Sequence, residues 1–295
     1  MTEYAFHTLD VFTTQRFAGN PLAVLPDARG LSSDQMQTIA REFNFSETTF
    51  VLPPQNARHT AHVRIFTPAE ELLFAGHPTV GTAYLLADLG IVPDHVDEIV
   101  FEEGVGPVPV RIERTGDAIA TCTLTAARIP ESEPTAPDRA SLARMLKLAA
   151  TDVLDFAGCW SCGLPFLVIP LASVEALSRL ELDLTLWREM LHTYATQNVF
   201  PVARVTDTEW RARMIAPSHG VAEDPATGSA AAAFAGWLSQ HVLRADGRFD
   251  ALIRQGIEMG RPSEIHLSLD RHAGRVTAVR VGGAAMRISE GRIRV

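Results

Sequence analysis

Arg64-Ile65-Phe66-Thr67-Pro68, followed by His77-Pro78-Thr79-Val80-Gly81-Thr82-Ala83, is echoed by Arg213-Met214-Ile215-Ala216-Pro217 and then Asp224-Pro225-Ala226-Thr227-Gly228-Ser229-Ala230. Arg213 lies 149 residues after Arg64, and Asp224 lies 147 after His77, in a chain of 295. Fainter matches keep the same order. Gly19-Asn20-Pro21-Leu22-Ala23-Val24-Leu25 resembles Gly163-Leu164-Pro165-Phe166-Leu167-Val168-Ile169 at an offset of 144, and Ser46-Glu47-Thr48-Thr49-Phe50 aligns with Thr196-Gln197-Asn198-Val199-Phe200 at 150. Four ordered matches point to an internal duplication whose period is far too long for a solenoid. Two similar halves are expected to put functional groups where they face each other. The repeats differ in chemistry at His77 and Asp224, which makes these the first candidates.

Local patterns fill in the halves. Tyr4 to Phe12 and Leu22 to Leu25 read as strands joined through the Gly19-Asn20-Pro21 turn. Ser33 to Phe43 reads as an amphipathic helix capped by Ser32 or Ser33, with Met36, Ile39, Ala40 and Phe43 on one stripe. Thr48 to Leu52 and His62 to Phe66 are β-rich, so Glu47 falls between a helix end and a strand start. After His77 and Asp224 come Thr79 to Leu89 and Ala226 to Leu238, apolar or small on nearly every face, as in a buried helix. Pro78 and Pro225 are expected at the first helical position. Each half is thus predicted to wrap a sheet around its own central helix, an α/β fold of two barrel-like halves. The stretch Ile129 to Asp138 reads as a linker, which divides the chain into residues 1–128 and 129–295. Ala140 to Leu148 reads as a helix. The last strands, around Arg275 to Val281 and Met286 to Val295, are open to pairing with either half.

Composition narrows the function. With 46% hydrophobic residues the chain can bury real cores. A net charge of −9, with Lys and Arg dispersed, argues against nucleic acid. No apolar run reaches the ~18 residues of a membrane span, and the first residues lack the pattern of a secretory signal. Three cysteines make a disulfide framework unexpected, so the cytoplasm is the expected compartment.

The candidate chemistry is proton transfer. Helix starts attract carboxylates or phosphates, and Gly76, Gly81 and Gly228 permit close backbone approach. Facing helix starts would hold a small anionic substrate. Asp224 also fits a plain N-cap role. Glu47 is the best general acid/base, and its repeat counterpart Gln197 cannot shuttle protons, so the chemistry has become one-sided. One Glu, one His and one Asp in a duplicated frame suit proton transfer without a metal. Cys159-Trp160-Ser161-Cys162 has redox spacing but lacks the strand-then-helix setting of a redox site. His59-Thr60-Ala61-His62 has no carboxylate or thiol close by to complete a metal site. No nucleotide-binding glycine motif follows a strand. No cofactor is expected.

These residues resemble the phenazine-biosynthesis PhzF-like family of the diaminopimelate epimerase-like superfamily. The resemblance runs through Asp10-Val11-Phe12, Gly19 to Val24, Asn44 to Val51, Arg64 to Ala83, Glu223 to Ala231, and Gly256 with Gly260-Arg261-Pro262. The resemblance implies a duplicated fold with the active site in the cleft between the halves, a homodimer and a cofactor-free isomerisation. It implies that Glu47 is the catalytic glutamate and that His77, Asp224 and Ser229 belong to the substrate pocket, with Gly76 and Gly228 beside them. It also implies a substrate like trans-2,3-dihydro-3-hydroxyanthranilate, converted by moving a proton along a conjugated system. Cys122, Cys159 and Cys162 lie away from the helix starts, which disfavours the two-thiol racemisation of the epimerase branch. Two rival expectations stand beside this one: a non-catalytic metabolite-binding protein and a metal-free racemase.

Overall fold

The computed structural model describes residues 2–295 apart from 117, 134, 135 and 220. It packs as two compact units, residues 1–127 with 281–295, and residues 128–280. In the first, β1 (Glu3–Val11) pairs antiparallel with β2 (Asn20–Leu25), and α1 (Ser33–Phe43) carries the chain to β3 (Glu47–Leu52), parallel to β2. Next, β4 (Ala61–Phe66) runs antiparallel to β3 and is capped by the short β5 (Glu71–Leu72). After α2 (Gly76–Asp88), β6 (Glu98–Glu103) lies parallel to β4, and β7 (Gly106–Thr115) and β8 (Ala118–Thr125) complete a meander.

The start and stop of α1 follow from local chemistry. Ser32 and Gln35 form a capping box, Met36, Ile39 and Ala40 are buried, and Asn44 ends the helix with φ 52°. That left-handed turn suits Asn. It turns the chain outward so that Glu47 opens β3. By contrast, α2 is buried on nearly every face. Gly81 is needed there, because a Cβ would come within 2.6 Å of Leu22 and 2.7 Å of Val11.

The second unit begins with β9 (Glu131–Ser132), α3 (Arg139–Met145), β10 (Gly158–Ser161) and β11 (Pro165–Leu171). It continues through α4 (Val174–Arg179), α5 (Leu184–Leu191), β12 (Val199–Arg204), β13 (Glu209–Ala212), β14 (Met214–Ala216) and β15 (Val221–Asp224). The buried helix α6 (Gly228–His241) precedes β16 (Gly247–Gln255), β17 (Ser263–His272) and β18 (Arg275–Gly283). The chain ends in β19 (Ala285–Arg294), which pairs antiparallel with β1.

The strand pairings repeat. The pairs β1–β2, β2–β3, β3–β4, β4–β6 and β6–β7 are antiparallel, parallel, antiparallel, parallel and antiparallel. The pairs β10–β11, β11–β12, β12–β13, β13–β16 and β16–β17 have the same order and sense. This is a duplicated α/β fold, with α2 and α6 as equivalent central helices. The paired arginines of the repeat keep equivalent work: Arg64 makes a two-pronged contact with Glu71, and Arg213 makes one with Glu223.

Several expectations change. The stretch read as a linker contains β9, while Pro134 and Thr135 within it lie outside the described residues. The helix expected over Ala140 to Leu148 ends at Met145, and Lys147 just beyond takes φ 52°. Pro78 is the third helical residue, not the first, because α2 begins at Gly76. Pro225 is not helical at all. Asp224 is drawn into the sheet by its pairing with Met214, and α6 starts four residues later. Asp224 therefore does not cap α6; Thr227 occupies that position.

Candidate active site

In the first unit Glu47, Ser46, Asn20 and His77 are brought together by β2, β3 and α2. The parallel β2–β3 register sets Glu47 beside Leu22, two residues from Asn20. Asn20 is fully buried, and its amide is oriented because the Ser46 hydroxyl donates to Asn20 Oδ1 at 3.0 Å. That leaves Asn20 Nδ2 3.2 Å from His77 Nδ1, a contact whose donor is set by the tautomer of the ring. Nε2 faces Glu47 Oε2 at 3.4 Å, longer than an ordinary hydrogen bond. His77 is 4% exposed. Burial pushes its pKa down to about 3, against a hydrogen bond with the Pro21 backbone that favours the charged form. The ring is neutral at physiological pH, a polar contact for Glu47 and not a cation.

Asn20 is the residue that sequence reasoning missed. In the sequence it stands only as part of a turn. The signal lay in the repeat, where Asn20 aligns with the apolar Leu164. Gly19 holds the turn in place with φ +67°, and a Cβ there would lie 2.4 Å from the Val11 carbonyl oxygen.

The second unit builds a different cluster around Asp224. The Thr227 hydroxyl donates to Asp224 Oδ2 at 2.5 Å. Gln255, fully buried, uses both hydrogens of its amide, one on the Asp224 carbonyl at 2.7 Å and one on Thr227 Oγ1 at 3.0 Å. Its Oε1 accepts from the Thr227 N–H at 3.2 Å. Gln255 was also missed, being 31 residues from Asp224 in sequence. Gly228 and Ser229 are the first two residues of α6, with Ser229 half-buried. Gly76 is the first of α2. Neither α2 nor α6 has a side-chain cap or an acidic residue in its first turn, whereas Ser32, Asp138, Ser173 and Asp183 cap the other four helices. Uncapped starts are suited to an external carboxylate.

The family model described as phenazine biosynthesis-like protein matches residues 9–291. The chain belongs to that family. It is 42% identical to an uncharacterized isomerase of Mesorhizobium japonicum, over 96% of both chains. It is 36% identical to the trans-2,3-dihydro-3-hydroxyanthranilate isomerase of Pseudomonas aeruginosa, over 98% of this chain and 99% of that one. The crystal structure of a PhzF-family protein from Bacillus anthracis shares the fold, with a TM-score of 0.89 at 22% identity over 100% of both chains. This protein is a PhzF-like isomerase.

The other sequence motifs of this PhzF-like chain find ordinary places. Cys159 and Cys162 lie on and just after β10, and burial pushes their thiols up to about 11 and 12, so neither is a ready thiolate. His59 does have a carboxylate nearby, contrary to the local sequence: Glu102 lies 3.0 Å from its Nδ1. Glu102 also accepts from the N–H groups of Gln55 and Asn56, which makes it a loop brace. Among the described residues no three His, Cys, Asp or Glu side chains group as a metal ion would need, and no helix is long and apolar enough to cross a membrane.

Proposed function

We propose that this isomerase moves a proton on a small unsaturated carboxylate or cyclic amino acid, with Glu47 as its single acid/base. The observation that carries the reading is the seating of Glu47, 16% exposed, against a buried neutral histidine. In the reaction Glu47 takes a proton from a carbon next to the conjugated system. The C–H electrons move into that system and its double bonds shift. The proton then returns from Glu47 to a different carbon, so nothing is gained or lost and no redox partner is required. His77, staying neutral, offers Glu47 or the substrate a polar contact without adding charge, and positioned groups of this kind contribute about 10²-fold or more. Gly76, Asp224, Gly228 and Ser229 are assigned to substrate binding, with helix-start amides holding the carboxylate.

The named relative's substrate, trans-2,3-dihydro-3-hydroxyanthranilate, is the model for this one. A homodimer in the cytoplasm, each chain built from residues 1–127 with 281–295 and residues 128–280, completes the reading. The test is heavy-water exchange. The wild-type protein, free of added metal or nicotinamide, should introduce solvent deuterium into a cyclic dienyl amino acid and return an isomer. A tight ligand that acquires no deuterium would replace this reading with that of a binding protein.

A further inference from the structure

Glu103 closes β6, and Gln255 closes β16, the strand with the same place in the second unit's pairing order. Each is followed by a glycine with backbone packed against it. A Cβ on Gly104 would lie 2.9 Å from Leu73 Cα, and one on Gly256 would lie 2.4 Å from the Arg261 carbonyl oxygen. Both side chains are buried and both reach the first turn of their own central helix. Gln255 does so with a neutral amide. Glu103 fills the equivalent seat with a carboxyl group.

The hydrogen bonds favour a protonated Glu103. Thr79 Oγ1 lies 2.7 Å from the Ala75 carbonyl oxygen and 2.7 Å from Glu103 Oε1. A hydroxyl has one hydrogen, and both a carbonyl and a carboxylate can only accept. Thr79 either shares its hydrogen between the two acceptors, or Glu103 carries a proton and donates it to Thr79 while Thr79 donates to Ala75, and only the second arrangement makes two full hydrogen bonds. Glu103 Oε2 is buried with no hydrogen-bond partner among the described residues. Such a seat tolerates a neutral acid far better than an anion. Burial pushes Glu103 up to about 8, opposed by the hydrogen bond that Thr79 can donate to the ionised form. His62 and Arg64 on β4, Glu71 on β5, His77, Tyr84 and Asp88 on α2, and Arg111, Glu113 and Arg114 on β7 are the titratable or charged groups on the packed elements, and none of them adds to that shift.

We propose that Glu103 is a positioning residue for the Glu47–His77 pair, holding the first turn of α2 through Thr79 and Ala75 while protonated and releasing it when ionised. The proposal rests on the roles given above to Glu47 and His77. Ala75 is the N-cap residue of α2 and has no side-chain cap; its carbonyl is otherwise held by the Thr79 N–H at a long 3.4 Å. Once Glu103 ionises, it competes for the only hydroxyl hydrogen, and the turn bearing His77 loosens. In the second unit Gln255 cannot ionise, so the duplication has produced one pH-sensitive helix start and one insensitive one.

The test compares wild type, Glu103→Gln, which keeps a donor and cannot ionise, and Thr79→Val, which breaks the chain without touching charge. Infrared difference spectra between wild type and Glu103→Gln should show a protonated carboxyl at pH 6 that disappears through pH about 8. The ring-nitrogen resonances of His77, identified by their loss in His77→Gln, should shift over the same range in wild type and stay constant in Glu103→Gln. Glu103→Gln should keep wild-type turnover at pH 7 without the alkaline decline, while Thr79→Val loses about 10-fold in kcat with KM nearly unchanged, the scale of a misplaced reacting group. A missing carboxyl band at pH 6 overturns the proposal, as does a His77 response that persists in Glu103→Gln. Neither readout depends on activity, so full activity of Glu47→Gln would sink the assigned roles separately.

Discussion

His77 Nε2 stands 3.4 Å from Glu47 Oε2, and burial keeps that imidazole uncharged down to a pKa of about 3. The pair is therefore a carboxyl group beside a fixed dipole, not an ion pair. A neutral ring leaves Glu47 able to gain and lose a proton without first breaking a charge–charge attraction.

This arrangement makes Glu47 the group whose loss ends turnover. Glu47→Gln preserves size and hydrogen bonding but cannot carry a proton. Turnover and deuterium uptake should fall at least ~10²-fold, the usual worth of a positioned acid/base. Ligand affinity, measured by calorimetry, should change little. Near-full activity in the variant would remove Glu47 from the mechanism.

The depressed histidine has a consequence for acid stability. The unfolded chain takes up a proton on His77 near its ordinary 6.5, and the folded chain does so only near 3. The contribution is complete above pH 6.5 and drains as pH falls toward 3, at up to about 1.4 kcal/mol per pH unit. His77→Gln should flatten the acid limb of a denaturation series between pH 6.5 and 4. An unchanged slope would show that the ring already protonates in the folded state.

Asn20 predicts a subtler defect. Asn20→Leu installs the residue found at the repeat counterpart, Leu164. It removes the amide that faces His77 Nδ1 and leaves the Ser46 hydroxyl without its acceptor. With Glu47 intact, kcat should drop by about 10-fold or more through misorientation. Two-dimensional spectra of the histidine nitrogens should show a changed tautomer balance at His77. A wild-type spectrum would mean that Asn20 does not set the ring.

The duplication and α1 were legible in the sequence because both are written locally, one in a quoted motif and the other in a capping box and a four-residue stripe. The helix starts were not. Pro78 and Pro225 obey the same local rule, yet Asp224 is held in the sheet by Met214 and by Gln255, a partner 31 residues away. Propensity has no access to such a contact. Asn20, Glu103 and Gln255 were overlooked for a related reason: each is one polar residue at the end of a β-rich segment. Their significance emerges when the two halves are aligned by strand pairing. Glu103 then falls opposite Gln255, in regions where no short motif matches.

The remaining prediction separates backbone strain from site geometry. Gly256 has φ +75°, and a Cβ there would lie 2.4 Å from the Arg261 carbonyl oxygen and 2.6 Å from that of Pro225. Gly260 has a similar φ of +71°, but nothing lies within 4 Å of its would-be Cβ. Alanine at Gly260 thus meets only the left-handed backbone cost, about 1–2 kcal/mol. Alanine at Gly256 meets that cost and must also push Pro225 away, with Asp224 next to it in the chain. Gly256→Ala should therefore lower the thermal midpoint more than Gly260→Ala does. It should also raise KM, since Asp224 is assigned to substrate binding, whereas Gly260→Ala should leave KM near wild type. Equal losses of stability in the two variants, with KM unchanged in both, would show that the Pro225 turn absorbs the extra methyl and that Asp224 is not held by it.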